Sequence, residues 1–147
     1  MTALERFIVS DGSTHADAAR TVRLTLRTVQ GSVDRYETDI PVASADWPPD
    51  VISAAEVLRG VAARTGRVER GGYAQTGIVA YADDQVWSAF MEFAPWAYDA
   101  TVWNSAGDDI VSLSDEAQSI VIRVNHPQYD TIAAALGNAS LRSTSIQ

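Results

Sequence analysis

Three segments late in the chain alternate cleanly enough to fix one another's register. They are "YDATVWN" at about 98–104, "IVSLS" at 110–114 and "SIVIRV" at 119–124. Strict apolar–polar alternation is the signature of a half-buried strand, and a slip of one residue would turn each segment inside out. Turn signals at Ala106-Gly107 and Asp115-Glu116 separate them, so an antiparallel meander is expected. It brings Val111 opposite Ile122 and Leu113 opposite Ile120 on the core face. A two-residue turn at Ala106-Gly107 then sets Val102 against Val111 and Ala100 against Leu113. Trp103 falls on the other face with Asp99, Thr101 and Ser112. A three-residue turn would bury Trp103 but pull Asp99 inward, and burying an unpaired aspartate costs more than an unfavoured turn dipeptide. Trp103 is therefore expected to be partly exposed beside Asp99.

Upstream, Leu4 to Val9 reads as a first strand, followed by a polar loop, "SDGSTHADAA". "TVRLTLRTV" alternates, as does "YETDIPV", so a hairpin around "QGSVD" is expected, with Arg27 opposite Glu37 on its wet face. "ADWPPDVISAAEVLRGVAARTG" reads as a helix capped by Asp50 and stopped at Gly66, with Val51, Ala55, Leu58 and Ala62 on its apolar stripe. A strand is expected at about 73–81. "DDQVWSAFMEFA" fits either period. A helix would place Asp84, Gln85, Ser88 and Glu92 on one polar face, whereas its aromatic content and hairpin-like spacing favour a strand over about 85–93. A short helix, "PQYDTIAAALG", with Asn125 or His126 as cap, and a frayed tail from about 138 complete a single domain, 1–147. The expected class is α+β: a mostly antiparallel twisted sheet of five to eight strands on one long helix, with a short C-terminal helix.

Composition excludes several chemistries. The 147 residues include no cysteine and no lysine, so disulfides, thiolate ligands, Schiff bases and a P-loop lysine are ruled out. No apolar run reaches the ~20 residues needed to span a bilayer. Glu5 and Arg6 stand where a signal peptide would carry its apolar stretch, so a cytoplasmic location is expected. The abundance of Ala, Val and Arg suggests a GC-rich bacterial source.

Candidate chemistry is sparse. His15 with Asp11 and Asp17 has the residue types of a metal site, but the spacing matches no ligand pattern, and no metal or cofactor is expected. A serine triad lacks its nucleophile elbow. Asp83-Asp84 and Asp108-Asp109 are adjacent pairs explained by turns, whereas a glycosidase-type pair, for example Glu92 with Asp99, could flank a sugar stacked on tryptophan. Arg20, Arg23, Arg27 and Arg35 would form a phosphate-binding face were they not expected to pair with Glu37 and Asp39.

The remaining lead is charge. From Gly71 to Ile122 there are eight carboxylates and no cation, against a net charge of −8 for the chain. Three of the four tryptophans lie in the same stretch. Acids that steer encounter and aromatics that anchor it are the makings of a protein interface for a basic partner. The expected partner-binding residues are Trp103, Asp99, Asp108, Asp109, Trp96, Tyr98, Asp83 and Asp84. The expected function is a binding domain, in its most concrete form an immunity protein that neutralises a basic, nuclease-like toxin. Neither nucleic acid nor membrane is expected as a partner. A carbohydrate-binding or hydrolytic domain and an oligomeric structural subunit are the alternatives.

Overall fold

A computed structural model describes residues 3–9, 14–44, 46–67, 69–136 and 141–143. The meander stands at its centre: β5 (Asp99–Trp103), β6 (Asp109–Ser114) and β7 (Ser119–Val124). Val111 faces Ile122, Leu113 faces Ile120, Val102 faces Val111 and Ala100 faces Leu113, as the alternation requires. The turn between β5 and β6 follows neither sequence solution. Asn104 and Asp108 close a three-residue loop, 105–107, with the Asn104 side chain accepting from the amides of Ala106 and Asp108. A bulge next to Trp103 then restores the register and lets Ile110 and Val111 both enter the core.

Around the meander the sheet extends in both directions in the order β3, β2, β5, β6, β7, β1, β8, and every pairing is antiparallel. Here β1 is Glu5–Val9, β2 is Arg35–Ile40, β3 is Ala74–Gln75 and β8 is Leu141–Ser143, while β4 (Val79–Ala80) pairs with the other end of β2. The expected 73–81 strand is thus two short pieces, parted where Gly77 takes φ +66°. Part of the expected tail, Leu141–Ser143, pairs with β1; the rest lies outside the described residues.

The first hairpin does not form. Residues His15–Val29 are a helix, α1, so Arg27 and Glu37 lie in different elements, and Glu37 on β2 stands opposite Thr101. The segment satisfies both periods. Val22, Leu24 and Leu26 alternate, but Ala18, Val22, Leu26 and Val29 also recur at helical spacing, and those four are buried. The supposed loop supplies the helix start, since Thr14 Oγ1 accepts the Asp17 amide at 3.2 Å.

Four helices cover one face of the sheet: α1, α2 (Pro49–Arg64), α3 (Asp84–Phe93) and α4 (His126–Leu136). The expected single long helix is therefore a layer of several, and α2 spans 16 residues against 15 for α1. The apolar stripe of α2 is as expected, but Pro48 occupies the cap position and Asp50 sits in the first turn. The 85–93 segment is helical, with Asp84, Gln85 and Ser88 exposed and Val86, Trp87, Ala89, Phe90 and Phe93 buried. Its Trp87 and Phe90 pack on Tyr36 of β2 at ring-centroid distances of 5.0 and 4.7 Å. Asn125 and Gln128 form a reciprocal cap at the start of α4.

Asp83 decides where α3 begins, because its carboxylate accepts the amides of Gln85 at 2.8 Å and Val86 at 3.4 Å. Asp83→Ala is expected to lower stability by about 1 kcal/mol. Asp84→Ala, which removes only a favourable charge in the first turn, should cost about half that or less. Urea unfolding of the two variants checks the order.

Candidate functional site

The face of the sheet turned away from the helices is open. Along β2, β5 and β6 it presents Arg35, Glu37 and Asp39; Asp99, Thr101 and Trp103; and Asp109, Ser112 and Ser114. Residues of the opposite phase, among them Tyr36, Ile40, Val102 and Leu113, are in the core. Three of the expected partner-binding residues, Trp103, Asp99 and Asp109, meet on this face. Asp108 lies at its rim in the β5–β6 turn, and Tyr98, 52% exposed, stands at the opposite end just before β5. Trp96 belongs to the helical layer, packed on the His15 ring at 4.6 Å, and Asp83 and Asp84 start α3. The eight residues thus divide between two sides of the molecule.

The cation-free stretch is not cation-free in space. Arg23 of α1 reaches Glu92 at 2.7 Å and also lies over the Trp96 ring. Arg123 sits 3.5 Å from Asp109. Arg35, directly opposite Trp103, places its guanidinium 5.7 Å from the indole centroid. Trp103 is partly exposed, as the register argument requires, but one cation already rests on it. Of the four arginines expected to pair with Glu37 and Asp39, three pair elsewhere: Arg20 with Asp17, Arg23 with Glu92, and Arg35 with Asp34.

What remains unneutralised is one end of the face. A cleft of about 80 Å³ is lined by Glu37, Thr38, Asp39, Gln75, Asp99 and Thr101, with no cation among them. Asp39 forms its floor and is 4% exposed. Its Oδ1 accepts the amides of Tyr98 at 2.9 Å and Asp99 at 3.2 Å, and its Oδ2 accepts the Tyr73 hydroxyl at 2.9 Å. Burial pushes the Asp39 carboxyl above its ordinary range; these three donors pull it back only in part, and the Asp99 charge adds to the rise. Burial and the bond to Asp39 raise the Tyr73 phenol as well.

Backbone strain braces this end. Asp115, Glu116 and Ala117 take φ of 54°, 56° and 65°, a left-handed run in non-glycine residues that costs about 1 kcal/mol or more apiece. The turn is held because the amides of Asp115 and Glu116 donate to the carbonyls of Tyr98 and Ala97, and because Ala117 is buried. Tyr98 is thus fixed by Asp39 on one side and Asp115 on the other.

Sequence reasoning missed Asp39, Glu37, Tyr73 and Gln75 as members of the site. The alternation of β2 sets Glu37 and Asp39 on one face, but their neighbours there come from β3 and β5, while residues 21–29 belong to α1. Tyr73 carried no signal, because only the tertiary path of the chain brings it to Asp39.

Among the described residues, no three His, Asp or Glu side chains converge as a metal site. His15 instead bonds the Pro95 carbonyl through Nε2 at 2.8 Å, and Asp11 lies outside the described residues. Glu92 and Asp99 stand in different layers, one bonded to Arg23 of α1 and the other on the open face, so they do not flank a common substrate. The chain matches no protein-family model, no curated protein and no solved structure.

The Asp39 shift has a definite sign. A carboxyl whose folded pKa is raised stabilises the fold fully below its unfolded value, about 3.9, and that contribution is lost as pH rises through the folded value. Asp39→Asn keeps an acceptor for the two amides and does not titrate. Its stability relative to the parent protein should therefore rise from about pH 4 to about pH 7, as read by urea unfolding at each pH.

Proposed function

We propose that this chain is a protein-binding domain that presents the open face of its sheet to a basic protein partner. The supporting observation is the cation-free end of that face, where Glu37 and Asp99 border a cleft floored by Asp39, which the Tyr73 hydroxyl and the Tyr98 amide hold in place. Exposed tyrosines give contact area at low entropic cost, and fixed carboxylates steer a cationic partner into register. Trp103, further along the same strand, supplies the larger aromatic surface, with Arg35 already ordered across it.

In its concrete form the reading is of an immunity protein that covers the cationic cleft of a nuclease-like toxin. Such a role needs a rigid, complementary surface and no catalytic group. The braced backbone at Tyr98 and the central position of β5 in the sheet suit it. A glycosidase reading is less well supported, since its two carboxylates are in different layers. A self-assembling subunit is also less well supported, because the most exposed large apolar residues outside the tyrosines are dispersed. Ile8 is on β1, Val42 follows β2, Ile52 and Val57 are on α2, and Ile78 lies between β3 and β4.

An NMR titration with an oligoarginine peptide tests the face. The largest shifts are expected at Glu37, Tyr98, Asp99, Thr101 and Trp103. The double variant Glu37→Gln, Asp99→Asn should weaken binding roughly tenfold at low salt, and the difference should shrink as salt is raised. Shifts centred on Asp83, Asp84 and Asp130, or an unchanged affinity in the double variant, would refute the assignment. Trp103→Ala should cost less stability than Val111→Ala, for which about 1–3 kcal/mol is expected from a buried valine, because the indole lies outside the core and keeps part of its surface in water.

A further inference from the structure

A second cavity lies on the other side of Tyr73 and has the opposite charge. It measures about 340 Å³ and is lined by Arg67, Arg70, Tyr73, Ala74 and Gln75. Arg20, Arg23, Arg35, Arg59 and Arg123 all have carboxylate partners. Arg67 and Arg70 have none among the described residues. The adjacent carboxylate, Glu69, is held by Arg59 at 2.5 Å, and Asp39 is occupied by the Tyr73 hydroxyl. We propose that Arg67 and Arg70 form an oxyanion site that takes the phosphate of a small phosphate monoester, with the organic part of the ligand lying on the Tyr73 ring.

Local structure fixes each wall. Arg70 and Tyr73 exchange backbone hydrogen bonds at 2.9 Å in both directions across Gly71 and Gly72, whose φ values are +58° and +84°. Positive φ at both central residues is the mark of the tight two-residue hairpin turn, which sets the flanking side chains next to each other. The Arg67 guanidinium rests on the backbone of Gly77. A Cβ at that residue would lie 2.7 Å from Arg67 Nε and Nη2, so the bare glycine is what admits the guanidinium. Tyr73 is 37% exposed, and the bond to Asp39 fixes the direction of its ring.

Two guanidinium groups without counter-ions match the charge of a monoester phosphate, about −1.5 to −2 near neutral pH, and their forked donors match its oxygens. At roughly 30 Å³ per water, a bare phosphate fills only a fraction of the cavity, which leaves space over Tyr73 for an organic group. The remaining negative charge of the chain is screened over about 8 Å at physiological salt, so the local arginines dominate. This inference uses different charged residues from the carboxylate cleft and stands or falls apart from it.

Calorimetric titration at physiological salt with inorganic phosphate, phenyl phosphate and phenylacetate tests the proposal. Phenyl phosphate should bind more tightly than inorganic phosphate, and phenylacetate most weakly. Arg67→Ala and Arg70→Ala should each weaken phenyl phosphate roughly tenfold, the loss of one charge-assisted hydrogen-bonding group. Arg67→Lys should weaken it less than Arg67→Ala. Arg64→Ala, which removes an exposed cation outside the cavity, should change affinity by no more than about twofold. Thermal melting confirms that the variants remain folded. The proposal is overturned if neither phosphate binds at about 1 mM. It also fails if the double variant Arg67→Ala, Arg70→Ala binds as well as the parent, or if Arg64→Ala loses as much as Arg67→Ala.

Discussion

The contact on which the two layers depend is that of Tyr36 with Trp87 and Phe90. Tyr36 is 1% exposed near the start of β2, and both partner rings come from one face of α3. Trp87 is stacked in turn on Phe90 and tilted against Tyr81. Aromatic pairs at these separations contribute beyond the area they bury, by about 0.5–1.5 kcal/mol each. The cluster therefore ties the β2 side of the sheet to the helical layer. It also accounts for much of the aromatic richness of the Gly71–Ile122 run, since Trp87, Phe90 and Phe93 are core residues and not a surface. Of the tryptophans in that stretch, Trp96 and Trp103 keep some exposure, and Trp103 alone stands on the open face.

The meander was legible because its constraint is local. Two faces of opposite polarity on three neighbouring segments admit few registers, and a bulge at Trp103 is the largest departure. The region before it was less legible for a definable reason. In "TVRLTLRTV" the apolar positions satisfy a period of two and a period of 3.6 together, so alternation alone does not choose. The deciding features lie outside the segment: the Thr14 cap and the alanines that extend the buried stripe backwards to Ala18. The same holds for α3, whose polar residues have the helical arrangement and whose Asp83 cap reads in the sequence equally as a turn residue. At both places capping chemistry carried more information than composition.

Charge was the least transferable reading. A run of 52 residues without a cation, Gly71 to Ile122, suggests an uncompensated acidic surface. Folding brings Arg23, Arg35 and Arg123 into it from outside the run. Sequence asymmetry thus locates segments that need partners, and the tertiary pairing determines which of them find one. Asp109 and Glu92 do. The Glu37–Asp99 end does not, and this gives it more functional weight than the run as a whole.

Tyr73 joins the two unneutralised places. Its hydroxyl donates to Asp39 at the floor of the carboxylate cleft, while Tyr73 and Gln75 also line the arginine cavity. The partition between them is set by burial. Asp39 lies too deep to be met by a mobile cation, so its donors are two backbone amides and a phenol, all fixed in place. A guanidinium brought in to neutralise it would close the cleft and also draw Arg67 or Arg70 away from the other side. By satisfying the aspartate with neutral donors, the fold keeps the carboxylates of Glu37 and Asp99 on one side of Tyr73. The two arginines stay on the other, within a few residues of sheet edge.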